Sequence, residues 1–199
     1  LSLHDALPIL GEDGATHQPI EQLSHLRALP NFYAFRPSDA FENTACMQIA
    51  LSLNAPSGLI LSRQNLPVLD EVSKEQVLKG AYVKHHSKDP IITLVASGSE
   101  VSLALESAKI LERENIPTQV VSAPCFDLLI EQDENYLKEL FKGKVLAIEA
   151  SRAIEWYRFA DKIIGMDSFG SSAKGDKLFE KFGFSVENIT AQAKRLLNA

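Results

Sequence analysis

Short runs rich in apolar residues, set off by turn residues and helical stretches, limit what this 199-residue chain can become. They are Leu59-Ile60-Leu61-Ser62, Ile91 to Ala96, Thr118 to Val121, Lys144 to Glu149 and Ile163 to Met166. A strand apolar on both faces belongs inside a parallel sheet, because helices must cover each side. Helical patterns stand between and after the runs. Residues 100–115 carry Val101, Ala104, Leu105, Ala108 and Leu111 at helical spacing, and residues 133–141 read as another helix. Residues 186–197 repeat the period with Val186, Ile189, Ala193, Leu196 and Leu197, behind Ser185 as N-cap. Strands alternating with helices predict an α/β fold, a three-layer sandwich with a mostly parallel sheet.

The first third is a shorter version of the same pattern. Residues 19–28 predict a helix that Pro19 opens, with Ile20, Leu23 and Leu26 at helical spacing. Asn31 to Arg36, with Phe32, Tyr33 and Phe35, predicts a strand. Pro37-Ser38-Asp39 then ends it, and Ser38 or Asp39 can cap a helix running to about Leu53. Ala40, Met47, Ala50 and Leu53 are expected on that helix's inner face, and Ala55-Pro56-Ser57-Gly58 breaks the chain. Residues 68–90 are mixed in charge and read as a linker, with a strand candidate at Gly80 to Val83. The pair His85-His86 reads as a solvated turn.

Charge and cysteine content exclude several classes of function. The formal net charge is −6, which argues against a nucleic-acid footprint. Anionic small molecules remain compatible with it, since one or two placed arginines bind a phosphate locally. No apolar run reaches transmembrane length. The two cysteines, Cys46 and Cys125, make no metal or redox pair, which fits a cytoplasmic, reducing setting. The five histidines have no metal-ligand spacing. Residues 1–10 have neither the charged start nor the cleavage site of a signal peptide, and stand apart as an atypical leader.

Two polar segments carry the chemistry. Gly11-Glu12-Asp13-Gly14-Ala15-Thr16-His17-Gln18-Pro19 is a glycine-bracketed loop that drops into a helix. Asp13 and His17 stand where catalytic groups are commonly held on a rigid scaffold. A solvated turn whose acids favour the helix dipole is the alternative. Arg63 follows the run 59–62, at the carboxyl end of a predicted parallel strand, where open α/β sheets place ligands. Its planar fork matches phosphate oxygens bidentately, and a surface salt bridge is the alternative. Ser97-Gly98-Ser99-Glu100 has the place of a nucleotide-cradling turn but neither G-x-G-x-x-G nor a Walker lysine, and reads as a tight βα turn.

Glu12-Asp13-Gly14, Thr16-His17-Gln18-Pro19 and Glu21 resemble the transketolase signature GEDGPTHQP, with Ala15 in place of proline. Ser62 to Pro67 is similar to that family's SRQNLP, and Phe169 to Ala173 and Phe179 to Phe184 resemble its carboxyl-terminal domain. The likeness runs from Gly11 to Leu197 and corresponds to roughly the final third of a transketolase. It implies two α/β/α units. Residues 11–67 would be the end of the pyrimidine-binding domain, truncated, and 68–90 the linker. Residues 91–199 would be the Rossmann-like carboxyl-terminal domain. The resemblance further implies transfer of a two-carbon ketol unit between sugar phosphates in the pentose phosphate pathway. The enzyme would be a homodimer with its active site at the subunit interface, using thiamine diphosphate with Mg2+ or Ca2+.

The same resemblance makes His17 the catalytic group, with Asp13 and Arg63 binding substrate and His4 a further substrate contact. A carboxylate at Asp13 suits a sugar hydroxyl, an imidazole at His17 can move a proton, and Arg63 would hold the distal phosphate. The family's GDG…N metal motif and its cofactor-activating glutamate have no counterpart here, so no cofactor or metal ligand is expected in this chain. By itself it is expected to be inactive. Related thiamine enzymes, such as deoxyxylulose-phosphate synthases, and a non-catalytic dimerisation or regulatory module are the competing readings.

Overall fold

The computed structural model describes residues 19–62, 64–171 and 173–199, apart from the Asp176 side chain. The first unit opens with α1 (Gln22–Arg27) and β1 (Tyr33–Phe35). Pro19 lies before the helix rather than in it. The Glu21 carboxylate folds back to accept from the Ile20 N–H at 2.9 Å, so helical pairing starts later than expected. Then come α2 (Ala40–Ser52) and β2 (Ser57–Leu59), a crossover that brings β2 parallel to β1 in a two-stranded sheet. The β2 pairing begins two residues ahead of the apolar run, at Ser57, and Ile60 still donates to the Phe35 carbonyl at 2.7 Å.

Asp39 caps α2, accepting from the Glu42 N–H at 2.8 Å. Such a cap contributes about 1 kcal/mol. The helix then corrects an expectation in part: Ala50 and Leu53 do pack half-buried against the core, but Ala40 and Met47 do not. Its buried residues are Glu42, Ala45, Cys46 and Ile49, while Met47 and Leu51 are exposed. The apolar residues lie on all sides of α2, so their pattern did not select a face. The pull of Glu42 inward did. Its carboxylate accepts from Tyr82 Oη at 2.8 Å, Ser122 Oγ at 2.6 Å and the Ser38 N–H at 2.5 Å.

The stretch expected as a linker contains α3 (Lys74–Val77), with a complete capping box on Ser73, and the edge strand β3 (Tyr82–His86). His85 and His86 are thus strand residues rather than a turn, and His85 Nε2 lies 2.8 Å from Glu112. The rest of the chain runs β4 (Ile92–Ala96), α4 (Glu100–Arg113), β5 (Thr118–Ser122), α5 (Phe126–Leu129), α6 (Glu134–Leu140) and β6 (Lys144–Ile148). A 3-10 turn (Ile154–Arg158), β7 (Lys162–Ile164), α7 (Gly175–Lys181) and α8 (Val186–Leu197) complete it.

These strands make a five-stranded sheet of order β3-β5-β4-β6-β7. All neighbours are parallel except β3 against β5. Alternate residues feed two cores. Leu94, Ala96, Leu146 and Ile148 face α4 and α8 on one side, and Val95, Val121, Val145 and Ala147 pack with Phe126, Leu140 and Trp156 on the other. That is the expected three-layer arrangement. A third core joins the two units: Phe35, Cys46 and Ile49 pack with Val77, Tyr82, Cys125 and Leu128.

Candidate functional site

His4, Asp13, His17 and Arg63 lie outside the described residues, but the elements that lead into and out of them do not. Ile20, directly after the first segment and Pro19, is buried in the main core, and its carbonyl accepts from the Arg152 N–H at 2.7 Å. Ser62 Oγ donates to the Gln64 carbonyl at 3.2 Å across position 63. Pro37, Asp39, Asn43, Ser62, Gln64 and Asn65 line an open cleft of about 450 Å³ there. Past it, the Leu69 N–H donates to Asp39 at 2.8 Å, tying the end of this segment to the cap of α2.

The sheet order reverses at β4, whose chain continues to β5 on one side while β6 lies on the other. Open α/β sheets hold ligands at the carboxyl ends of the strands beside such a switch point. The residues just past those ends are Ser97 to Glu100 and Glu149, and in this chain two arginines of the first unit fill the place between them. Arg27, at the end of α1, grips Glu149 with both terminal nitrogens at 2.7 and 3.0 Å. Arg36, after β1, donates through Nη1 to Glu100 at 2.5 Å and to the Ser97 carbonyl at 2.6 Å. A Cβ on Gly98 would stand 2.8 Å from Arg36 Cζ, so the turn must be glycine, and its φ of +57° asks for the same residue.

Glu149 is fully buried and takes five hydrogen bonds: two from Arg27, and one each from Ser97 Oγ, Ser151 Oγ and Trp156 Nε1. Burial works to raise its pKa, but the Arg27 guanidinium and the other donors overcome it and hold the carboxyl at about 2. For Arg27, burial works against the charge, and Glu149, with help from Glu155, more than restores it. Glu155 also accepts from Ser24 at 2.9 Å, so α1 is held to the second unit along one side. Breaking one partner of a buried pair costs about 3–5 kcal/mol, whereas an apolar replacement of the whole pair is often neutral.

Beside Glu149 and Glu100, a third carboxylate is fully buried. Glu42 has its pKa raised by burial, against the lowering effect of Ser122, Ser38 and Tyr82. It ties α2 of the first unit to β5 of the second.

The described residues do not fit a diphosphate cofactor or its metal. Among them, no group of three histidine, cysteine or acidic side chains could hold a metal ion. The crevice where a phosphate-bearing ligand would rest in this kind of sheet is occupied by guanidinium groups paired within the protein. The sequence reading missed this constellation. Its one local signal was that Arg36, Glu100 and Glu149 each stand just past a strand or its following turn, at the edge of an apolar run.

Comparison with known proteins places this geometry. Residues 80–185 match the family described as transketolase-like TK C-terminal domain, and residues 2–68 match the transketolase pyrimidine-binding domain. The chain is 45% identical to a transketolase of Staphylococcus aureus (strain MW2), across 97% of this chain and 31% of that protein. It superposes on the crystal structure of transketolase from Campylobacter jejuni with a TM-score of 0.91 and 48% identity, covering 96% of this chain and 30% of that one. A structure described as a split gene transketolase, inactive β4 tetramer, matches 93% of this chain and 64% of its own length, with a TM-score of 0.77 and 26% identity. The chain thus spans about a third of the length of the curated relatives it matches.

Proposed function

We propose, from the premise that this chain belongs to the transketolase family, that it forms the sugar-binding wall of an enzyme transferring a two-carbon ketol unit from a ketose phosphate to an aldose phosphate. The observation that carries the proposal is the match of both successive domains in one chain, in the family's order. Residues 11–67 are read as the end of the pyrimidine-binding domain and 91–199 as the carboxyl-terminal domain, with the expected linker 68–90 giving its strand β3 to the second unit's sheet.

In this reading Asp13 accepts a hydrogen bond from a sugar hydroxyl and so discriminates stereochemistry. His17 hydrogen-bonds or protonates an oxygen at the reacting carbon. Arg63 clamps the distal phosphate, and His4 is a further substrate contact. The cofactor called for is thiamine diphosphate with Mg2+ or Ca2+. Its ligands are assigned to the rest of the enzyme, since the family's GDG…N motif and activating glutamate have no counterpart in this sequence. A cytoplasmic homodimer of the pentose phosphate pathway, with the site between subunits, is the setting proposed. The related thiamine enzymes are disfavoured by Thr16-His17-Gln18-Pro19 and by Ser62 to Pro67.

The test is ketol transfer by the whole enzyme carrying this chain, supplied with thiamine diphosphate and Mg2+. Formation of a ketose phosphate two carbons longer than the aldose acceptor is expected, and its absence would refute the reading. Calorimetric titration of this chain alone with the same cofactor and metal is expected to show no tight binding. The split-gene relative favours one further reading, that such a chain can assemble by itself without activity. Sedimentation of this chain alone measures it.

A further inference from the structure

Resting on that functional reading, we infer that the carboxyl-terminal unit positions the elements that carry the sugar-binding wall: the Arg27–Glu149 and Arg36–Glu100 clamps fix α1 and β1, making Arg27 and Glu149 positioning residues for sugar discrimination.

Three independent observations point to this role. The first is which elements are clamped. Arg27 closes α1, the helix that follows residues 11–19 in the chain, and Arg36 follows β1, which pairs with the strand leading to Ser62. Both predicted substrate segments therefore continue from elements bolted to one sheet end. The second is the number of constraints. The Arg27 fork fixes both position and tilt of α1, and the Arg152 N–H to Ile20 carbonyl bond at 2.7 Å pins the chain just ahead of that helix. The Gly98 N–H donates to the Arg36 carbonyl at 3.0 Å and the Arg36 N–H to the Pro124 carbonyl at 2.7 Å, so β1 is held by backbone as well. The third is the choice of chemistry. An apolar plug would stabilise this crevice as well as two ion pairs do. It would also allow the units to slide, since apolar contact is non-directional. A bidentate pair with five hydrogen bonds on one carboxylate permits a single register.

The test is a ratio in the whole enzyme. The kcat/KM for D-ribose 5-phosphate is divided by that for D-arabinose 5-phosphate, acceptors epimeric at the hydroxyl beside the carbonyl. A merely structural loss lowers the amount of folded enzyme, scales both values alike and leaves the ratio unchanged. Arg27→Lys keeps the charge but loses the fork. It is expected to lower the ratio at least fivefold, with a larger fall in kcat than rise in KM. Glu149→Gln is expected to do the same, and the double variant no more than either single. Ile189→Val, on the buried face of α8, serves as the control that lowers stability with the ratio intact. If Glu149→Gln does not fold, Arg27→Lys decides alone. A parent enzyme that transfers ketol units, with Arg27→Lys within twofold of the parent ratio, overturns this inference and leaves the functional reading standing. A parent that transfers none overturns both.

Discussion

Replacing Glu149 by glutamine removes one charge without changing shape, and its effect on stability depends on pH in a calculable way. The carboxyl is held at about 2 in the folded chain, against an ordinary 4.5. A pKa depressed on folding contributes stability above the unfolded value and loses it as pH falls toward the folded one. At about 1.4 kcal/mol per pH unit, the gap between 4.5 and about 2 amounts to roughly 3 kcal/mol at neutral pH. Because the group is fully buried, solvent does not screen this value away. The cost of leaving Arg27 with one partner fewer, about 3–5 kcal/mol, is an independent route to the same size.

Urea unfolding of parent and Glu149→Gln, followed by fluorescence, measures the difference. Trp156 is the single tryptophan, and its indole N–H donates to Glu149, so the probe sits on the clamp itself. The parent should exceed the variant by about 3 kcal/mol at pH 7, and that lead should shrink to about half near pH 3, as the carboxyl of the unfolded chain takes up a proton while the folded one stays ionised. A lead that stays constant from pH 7 to pH 3 would refute the reasoning, since it would mean that the pair's charge contributes nothing.

Gly98→Ala should cost about 1–2 kcal/mol from the left-handed backbone alone, and more if Arg36 is displaced, read as a lower urea midpoint. The Cys125 thiol, pushed up to about 12 by burial, and Cys46, shifted the same way, should resist alkylation at pH 8 in native protein and react in urea. In the whole enzyme, Arg63→Ala should raise KM for phosphorylated sugars at least tenfold while leaving kcat nearly constant, because phosphate binding is shared by ground and transition states. Unchanged kinetics there would remove the phosphate role. Asp13→Ala should reduce discrimination between acceptors that differ at the neighbouring hydroxyl, and an unaltered preference would count against that assignment.

The sequence by itself determined what short-range physics controls. Helix α8 spans residues 186–197 with Ser185 as cap, as its period and hydroxyl predict, because both signals act within one or two turns. The parallel strands were legible for a similar reason, since a run apolar on both faces has nowhere else to go. The motif around residues 11–19 and 62–67 pointed to the family that the domain matches then bore out.

Tertiary structure decided what depends on partners far along the chain. The buried face of α2 follows Glu42, whose partners Tyr82 and Ser122 are 40 and 80 residues away. The sequence offered a strand at Gly80 to Val83, but the extension of β3 to His86 and its place at the sheet edge follow from β5 lying open beside it. The clamp joins Arg27 to Glu149 across 122 residues, and neither side chain differs in sequence from a solvated charge. Only folding brings the two together in a site that excludes water, where pairing becomes obligatory and a switch point that could have held a ligand is closed by the protein's own arginines.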